Sequence, residues 1–326
     1  MAADKHRNRG RRAANRRRLA IVGLVAFAAV DALLISAVVA QRAPSTDVSA
    51  PAPRPATSSP ATETDTPEPT PTSTSTPAPD VAGTVPSRLL SVVDETTAWR
   101  TEAGSCPSAG ATVTLERTTD GGATWTPSTV STEAALTSVD RLQATDPSTA
   151  FVVGAGGSEC TSTFSQTFSA GQSYVDYPDR LGAAWYVAAS DRATVHSPTG
   201  SHAAPCAVVA TLAVTDDEQA AVLCDDGTLS TTIDAGTTWA SPTGVPGTVS
   251  VTAGTDGYLL ARLGQEGCES VSVAIYETGA AEAGPVGCAP GDASVPEDVV
   301  LATVGDAVWL WAGEDVLVST DRGASW

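Results

Sequence analysis

The stretch that decides the fold is TTDGGATW, residues 118–125, because the chain contains it in three versions. It returns as TIDAGTTW at 232–239 and as STDRGASW at 319–326. Each copy has an aspartate third, a glycine fifth and a tryptophan eighth, with hydroxyl side chains first and seventh. Repetition of this kind indicates a repeated structural unit. The residues at the three defining positions are Asp120, Gly122 and Trp125, then Asp234, Gly236 and Trp239, then Asp321, Gly323 and Trp326.

The residue types of this motif are those of a tight turn. An aspartate carboxylate can accept the backbone N–H groups of its own loop. The glycine permits a positive φ that strains other residues, and the tryptophan then buries a large ring at the start of the next strand. A catalytic site needs residues that converge from different strands, whereas each copy is closed on itself. The motif therefore predicts a structural role for these residues and no catalytic site.

Residues 87–326 predict an all-β domain. Short apolar runs such as AAVLC (220–224) and VWLWAG (308–313) alternate with turns rich in Gly, Asp and Ser. Runs of this length, bounded by turn residues, are typical of β-strands. No long amphipathic helical pattern interrupts them.

The pattern [ST]-x-D-x-G-x-[ST]-W resembles the Asp-box, or BNR repeat, of sialidase-like β-propellers and of photosystem II assembly-factor propellers. The resemblance implies a β-propeller of short four-stranded blades. In those families the box closes the hairpin between the third and fourth strands of a blade, away from the substrate face. By that resemblance Asp120, Asp234 and Asp321 are structural.

A weaker copy, PDRLGAAW at 178–185, keeps Gly182 and Trp185 but has an arginine where the aspartate belongs, and is interpreted as a degenerate box. The wide interval between Trp239 and Trp326 leaves room for an unmarked blade near 256–290. About five blades are therefore expected. Two explanations stay open for the last box at Trp326: a strand after residue 86 closes the ring, or the chain is a truncated product.

The first forty residues predict a membrane anchor. Residues 1–18 hold one lysine and seven arginines against a single acid, and form a basic cytoplasmic tip. Residues 19–40 are apolar except for Asp31, and as a helix they span about 33 Å, enough for a bilayer core of about 30 Å. Positive residues before the span favour a cytoplasmic N-terminus. A cleaved signal peptide ending near Ala40 is the alternative.

Residues 41–86 predict a disordered linker outside the membrane, because eleven of the chain's 22 prolines lie there among Ser and Thr. The domain at 87–326 is then extracytoplasmic. It has eight arginines and thirty acidic residues, a formal charge of −22, which excludes nucleic acid as a partner. No cofactor is expected.

The six cysteines all lie in this exported domain, and an even count there predicts disulfides. Spacing favours pairing of neighbours, although fifteen pairings are possible. No metal site is predicted, since short Cys-x-Cys spacings are absent and His196, His202 and Cys206 are interpreted as ordinary loop residues. The candidate disulfide cysteines are Cys106, Cys160, Cys206, Cys224, Cys268 and Cys288.

The sequence indicates the function less directly than the fold. A sialidase-like mechanism requires an arginine triad and a Tyr/Glu nucleophile, and neither pattern is recognisable. The most suggestive cluster is SYVDYPDR at 173–180, but residues of one loop are weak evidence of catalysis. No catalytic residue is assigned. The sequence predicts a non-enzymatic binding or assembly module for an unknown envelope protein or glycan, with a sialidase-like glycoside hydrolase or glycan-binding head as the alternative.

Overall fold

The computed structural model describes residues 83–291 and 295–326, and these form an all-β propeller of five blades around a central channel. The predicted β-propeller and its blade number are confirmed. The predicted basic tip 1–18, the span 19–40 and residues 41–82 of the predicted linker lie outside the described residues. Within the described part of the chain, no helix has the length and apolar character needed to cross a membrane.

Each blade is an antiparallel sheet whose strands follow one another in chain order. The first blade contains β1 (Arg88–Val92), β2 (Ala98–Glu102), β3 (Thr114–Thr118) and β4 (Thr126–Thr129); the second contains β5 (Leu136–Asp146), β6 (Thr149–Gly156), β7 (Thr161–Thr167) and β8 (Val175–Asp176). A short helix, α1 (Pro178–Leu181), and a two-stranded hairpin, β9 (Thr194–Ser197) and β10 (Gly200–Ala203), separate the second blade from the third.

The remaining blades complete the ring. The third contains β11 (Val209–Val214), β12 (Ala220–Cys224), β13 (Thr228–Thr232) and β14 (Thr243–Gly244); the fourth contains β15 (Thr248–Gly254), β16 (Gly257–Arg262), β17 (Ser272–Tyr276) and β18 (Gly284–Cys288). The fifth has three described strands, β19 (Val299–Val304), β20 (Ala307–Ala312) and β21 (Asp315–Ser319), and a 3₁₀ turn (Pro296–Asp298) precedes it.

The second strands of the third and fifth blades are apolar along their whole length because both of their faces are covered. All residues of β12 and of β20 are buried. A strand in a sheet with one solvated face alternates apolar and polar residues, whereas a strand packed on both faces does not. Neighbouring blades supply these two covers, so AAVLC and AVWLWA are continuous apolar runs.

The core is divided among the joints between blades. One cluster joins the first and second blades, with Trp99 and Leu115 against Leu136. Others join the third blade to the fourth and the fourth to the fifth. Between the second and third blades, Tyr186 packs on the second blade and Val195 of the hairpin packs on the third. The segment that contains the hairpin therefore fills the space between the second and third blades.

The ring closes between the first and fifth blades. Leu90 of β1 and Ala98 of β2 share a buried cluster with Trp309 and Trp311 of β20. The Ser87 N–H, just before β1, also donates to the Glu297 carbonyl before β19 at 2.9 Å. The first and fifth blades are therefore neighbours in the ring.

Three disulfides connect the outer parts of the domain, which confirms the prediction that the cysteines are oxidised. Cys106–Cys160 links the first blade to the second, across 54 residues of sequence. The other two close shorter loops, of 18 and 20 residues. The pairs are those that neighbour spacing favours: Cys106–Cys160, Cys206–Cys224 and Cys268–Cys288.

Candidate binding site in the central channel

The three repeated turns have one common hydrogen-bond scheme. In the first, the Thr124 amide donates to Asp120 Oδ1 at 2.9 Å and the Thr124 hydroxyl to Oδ2 at 2.6 Å. The Thr118 hydroxyl donates to the same carboxylate at 2.7 Å. The bonds from Thr124, and then that from Thr118, lower the pKa of Asp120 to about 2. This carboxylate therefore accepts its hydrogen bonds from residues of its own turn.

The other two copies repeat these contacts. Asp234 accepts from the Thr238 amide and hydroxyl at 2.9 and 2.7 Å. Asp321 accepts from the Ser325 amide and hydroxyl at 2.8 and 2.6 Å, and its pKa is also lowered to about 2. The fifth-position glycine of each turn has a positive φ, of 88°, 85° and 89° in chain order.

Each turn also lies against the part of the ring that precedes it. A Cβ on Gly122 of the first blade would lie 3.3 Å from Val316 Cγ1 of the fifth. A Cβ on Gly323 would lie 3.1 Å from Val273 of the fourth blade, and one on Gly236 would lie 3.6 Å from His202 of the hairpin. The turns therefore sit at the joints of the ring, away from the residues that line the channel.

The degenerate box predicted at 178–185 is wrong, because these residues form α1 and a following turn. Gly182 has a right-handed φ of −67°, where the other boxes have a left-handed glycine. Trp185 is buried against the third blade and donates its Nε1 hydrogen to the Asp216 carbonyl at 3.1 Å. The proline at 178 instead starts a helical turn, which its fixed φ favours.

The equivalent turn of the second blade is TFSAGQSY, residues 167–174, where a serine replaces the aspartate. The amides of Ser169 and Gly171 donate to Thr167 Oγ1 at 3.2 and 3.1 Å. The Ser173 amide donates to Ser169 Oγ at 3.1 Å, and Gly171 has a φ of 87°. The scheme is that of the repeated motif, with a hydroxyl in the carboxylate's place.

In the cluster at 173–180, Tyr174 and Asp176 are hydrogen-bonded to other elements of the chain. The Tyr174 hydroxyl is hydrogen-bonded to Ser128 Oγ at 2.8 Å, and burial raises the pKa of Tyr174. Asp176 accepts the Ser165 hydroxyl on Oδ1 and the Ala134 amide on Oδ2 at 3.0 Å. These contacts hold the turn to its neighbours.

The two histidines interpreted as loop residues lie instead in the strands of the hairpin, His196 in β9 and His202 in β10, and have separate local partners. His196 stacks on Tyr186 with ring centroids 4.2 Å apart, and its Nδ1 lies 2.9 Å from Ser201 Oγ. His202 Nε2 lies 3.0 Å from Thr199 Oγ1. The third member of the trio, Cys206, is in a disulfide.

The channel contains a cavity of about 290 Å³, lined by the first strand of every blade. The lining strands are β1, β5, β11, β15 and β19. Two hydroxyls there join neighbouring blades: Ser91 Oγ accepts the Ala144 amide at 2.9 Å, and Ser250 Oγ accepts the Leu301 amide at 3.1 Å. These bonds join the first blade to the second and the fourth blade to the fifth at the cavity wall.

A β-bulge at Asp140 sets the polar side of this cavity. In β5 the pairing with β6 shifts between Val139 and Arg141, which leaves Asp140 without an opposite residue. Val139 and Leu142 both pack in the cluster shared with the first blade, although they are three positions apart. A regular strand places such residues on opposite faces. The bulge thus puts Asp140 and Arg141 together on the side away from that cluster.

Arg141 is a partly buried cation without a carboxylate partner. Its Nη2 donates to Gln143 Oε1 at 3.1 Å, and its fully buried Nε has no hydrogen-bond partner. Burial lowers the pKa of Arg141 to about 10, so the guanidinium is still charged at neutral pH. In the described part of the chain, no acidic oxygen lies within ion-pair distance of it.

Asp140 is only half satisfied. The Ala189 amide donates to Oδ1 at 2.9 Å, whereas the buried Oδ2 has no partner. Burial raises the pKa of Asp140, and the Ala189 hydrogen bond and the positive charge of Arg192 partly offset this. Arg192 itself donates to the Val209 carbonyl at 3.3 Å, so this segment bridges the second and third blades.

Arg88 shows the contrast with Arg141. It also lines the cavity, but its Nε lies 3.2 Å from Glu102 Oε1 and 3.7 Å from Asp298 Oδ1. Its guanidinium stacks on Trp311 at 4.6 Å. Arg88 is therefore neutralised by its surroundings and belongs to the seam of the ring.

The charge inside the channel is opposite to that of the domain. The ionisable lining residues are three arginines and one aspartate, in a domain of formal charge −22. Thr211 adds a buried hydroxyl, on Oγ1, that has no partner. Sequence reasoning missed Asp140, Arg141, Arg192 and Thr211. The available signal was an adjacent Asp-Arg pair within an otherwise half-apolar strand, VDRLQ at 139–143.

Comparisons with known proteins give distant structural similarities only. No protein-family model matches the chain, and no curated protein matches it. A structure described as YCF48 bound to D1 peptide is 17% identical, with 76% of this chain and 68% of that chain covered and a TM-score of 0.26. The WD40 β-propeller domain of Doa1 is 11% identical, with 72% and 92% covered and a TM-score of 0.41.

A GH74 xyloglucanase from Xanthomonas campestris is 14% identical, with 73% of this chain but only 37% of that chain covered and a TM-score of 0.31. These identities and scores carry no argument about function. The assignment as a five-bladed β-propeller rests on the sheets and joints of the molecule itself.

Proposed function

We propose that this protein is a non-enzymatic binding module that recognises a ligand in the channel of its propeller. The observation that supports this most directly is the cavity of about 290 Å³ in the channel, whose lining includes three arginines and one aspartate. Ligand sites in proteins are typically concave cavities that carry a small number of polar or charged groups.

We further propose that the module is held at the outer side of a membrane. Residues 19–40 are the single-pass anchor, residues 41–86 the spacer, and the cytoplasmic part is the basic tip 1–18. The length and apolar character of the span and the charge before it support this placement. Membrane fractionation tests it: release of the protein by a salt wash without detergent would refute the anchor.

The repeated turns are proposed to be Asp-box turns with a scaffold role. Their shared carboxylate hydrogen bonds and their positions at the blade joints support that interpretation. The sialidase-like alternative, a glycoside hydrolase or glycan-binding head, receives no comparable support. Its most suggestive residues are Tyr174, Asp176, Tyr177 and Asp179, and the first two of them are hydrogen-bonded to Ser128, Ser165 and Ala134.

The experiment uses the full chain purified in detergent. The protein is incubated with an envelope extract, washed, and its bound molecules are identified by mass spectrometry. The matched variant is Thr252→Tyr, which adds a large side chain to the cavity lining; its unfolding midpoint is measured alongside. Retention by the wild type and loss in Thr252→Tyr supports the proposal. Retention that is equal in both proteins, or free sugar released from an added sialoside, overturns it.

A further inference from the structure

The segment just before the first blade connects two parts of the ring that are not neighbours. Ser87, which precedes β1, donates its amide hydrogen to the Glu297 carbonyl at the seam of the first and fifth blades. Gly83, four positions earlier, is buried against the third blade. A Cβ on Gly83 would collide with the Cys224 carbonyl oxygen and would lie 3.3 Å from Leu223 Cγ. The segment therefore begins at the third blade and ends at the opposite side of the ring.

Both contacts lie at the same face of the propeller. β1 begins directly after Ser87, whereas Cys224 is the last residue of β12. Cys224 is paired with Val209, the first residue of β11. In an antiparallel sheet the end of one strand lies beside the start of its neighbour. We call this face, at which the first strand of each blade begins, the linker face.

The segment is too short to follow the rim of the ring. Four residues of fully extended chain span at most about 14 Å. A route along the rim from the seam to the third blade has to pass the first and second blades, or the fifth and fourth. The direct route passes over the channel, and Pro86 is accordingly one of the residues that line the cavity. Residues 83–86 therefore form a strap across the channel at the linker face.

The strap is held at both of its ends. At the seam, the Ser87 carbonyl accepts the Ala103 amide at 2.6 Å, in addition to the bond from its own amide. At the third blade, Cys224 is joined to Cys206 by a disulfide, so the backbone on which Gly83 packs is covalently fixed. The close approach there requires a residue without a side chain.

The opposite face carries no comparable strap in the described part of the chain. The connections from first to second strands there, such as residues 255–256 between β15 and β16, stay within one blade. The cavity extends to this face, since its lining includes Val92, Val214 and Thr303, which lie at or next to the last positions of their strands. The cavity thus has one mouth crossed by a strap and one without it.

We propose that the strap at 83–86 closes the channel at the linker face, so that a ligand enters and leaves the cavity only at the opposite face. Displacement of the strap opens a second entrance. The inference rests on the proposed function in so far as the cavity is the ligand site. Because the strap is the end of the predicted linker at 41–86, a pull on that linker acts directly on the closure.

Thiol labelling of the full chain in detergent tests the closure without any ligand. All six native cysteines are in disulfides, so an introduced cysteine carries the only thiol. Ala103→Cys places this thiol beside the strap, and Ala253→Cys places it near the opposite face. Both residues are partly exposed and line the cavity. The probe is a maleimide with a long polyethylene glycol chain, and iodoacetamide is the small reference reagent.

Relative to iodoacetamide, the bulky maleimide is expected to label Ala253→Cys roughly tenfold faster than Ala103→Cys, because reaction at a covered site follows the fraction of time in which the cover is open. Gly83→Phe should raise the rate at Ala103→Cys, since its side chain does not fit against Cys224. The matched control is Gly244→Phe, at an exposed glycine where a Cβ meets no atom within 4 Å, and it should leave the rate unchanged.

Two results would overturn the inference. One is equal labelling of Ala103→Cys and Ala253→Cys by the bulky reagent, and the other is no gain from Gly83→Phe over Gly244→Phe. A gain caused by general unfolding would also appear at Ala253→Cys. In that case Gly83→Ala, whose single added carbon already collides with Cys224, takes the place of Gly83→Phe.

These outcomes are separable from failure of the proposed function. Equal labelling at the two faces refutes the strap, whereas retention of a ligand that Thr252→Tyr loses would still support the binding module. Conversely, a protein that retains no ligand but shows the expected labelling refutes the binding module and leaves the closure at the linker face standing.

Discussion

Ser87 Oγ donates a hydrogen bond of 2.8 Å to Asp298 Oδ1 across the seam between the first and fifth blades, and the two residues are 211 positions apart. The Ser87 amide donates to the adjacent Glu297 carbonyl at 2.9 Å. Arg88 Nε lies 3.7 Å from the same aspartate. One half-buried carboxylate thus joins the two ends of the ring.

Asp298→Ala is expected to lower the free energy of unfolding by about 1–2 kcal/mol, because a hydrogen bond and a partly exposed ion pair are lost at the seam. Urea denaturation measures the change. The control is Asp217→Ala, an exposed residue in the turn between β11 and β12. A loss no larger than that of the control would show that the apolar cluster around Trp309 alone closes the ring.

The carboxylate of Asp120 is expected to make folding sensitive to acid. Its pKa is lowered from 3.8 to about 2, chiefly by the Thr124 hydroxyl and then by the Thr124 amide and the Thr118 hydroxyl. Since the folded pKa is below the unfolded one, its stabilisation is complete above pH 3.8 and is lost as the pH falls towards 2.

Asp120→Asn should therefore show a shallower fall of unfolding free energy between about pH 4 and pH 2 than the wild type. Carboxyl NMR titration gives the pKa directly. Glu314→Gln, an exposed residue in the β20–β21 turn, is the charge-matched control. A titration of Asp120 at or above 3.8 would contradict the hydrogen-bond scheme.

The role of the carboxylate in these turns can be tested by restoring an aspartate to the turn that has a serine in its place. Ser169→Asp in TFSAGQSY is expected to raise the free energy of unfolding by about 0.5–1 kcal/mol, because a carboxylate accepts more strongly than a hydroxyl. The Ser173 amide and hydroxyl, each 3.1 Å from Ser169 Oγ, are the donors in place. Thermal unfolding at pH 7 measures the gain.

Ser169→Asn separates charge from shape in this turn, since the two side chains are nearly equal in size. The aspartate variant should be the more stable at pH 7 and should lose its advantage below about pH 4. Equal stability of the two variants at pH 7 would argue that the turn does not use a carboxylate here.

How far the sequence predicts this molecule depends on the range of the interactions involved. The turn at 118–125 is predictable because the hydrogen bonds to its Asp120 carboxylate join residues at most four positions apart. The prediction of a degenerate box at 178–185 was wrong because Gly182 and Trp185 keep the spacing of the motif, whereas Pro178 starts a helical turn. The serine turn was missed since a hydroxyl can replace the carboxylate as acceptor.

The channel site was not predictable by the same means. Its character depends on a bulge at which Asp140 has no opposite residue in β6, and on a cavity lined by strands from all five blades. Both are consequences of ring assembly. A single sequence records the Asp-Arg pair but not which face of the sheet it occupies.

The glycines of the turns provide a matched pair of substitutions. Gly122 and Gly110 both have positive φ, of 88° and 75°, so alanine at either position carries a backbone cost of about 1–2 kcal/mol. A Cβ at Gly110 meets no atom within 4 Å. At Gly122 it would lie 3.3 Å from Val316 Cγ1 and 3.5 Å from Trp309 Cζ3 in the fifth blade.

Gly122→Ala is therefore expected to destabilise the protein by about 1 kcal/mol more than Gly110→Ala, because overpacking at the joint adds to the backbone strain. Chemical denaturation of both variants gives the difference. Val316→Ala in the Gly122→Ala background removes Val316 Cγ1 and should recover part of this additional loss of stability. If the two alanine variants are equally destabilised, the turn contributes only its own backbone geometry and does not hold the fifth blade to the first.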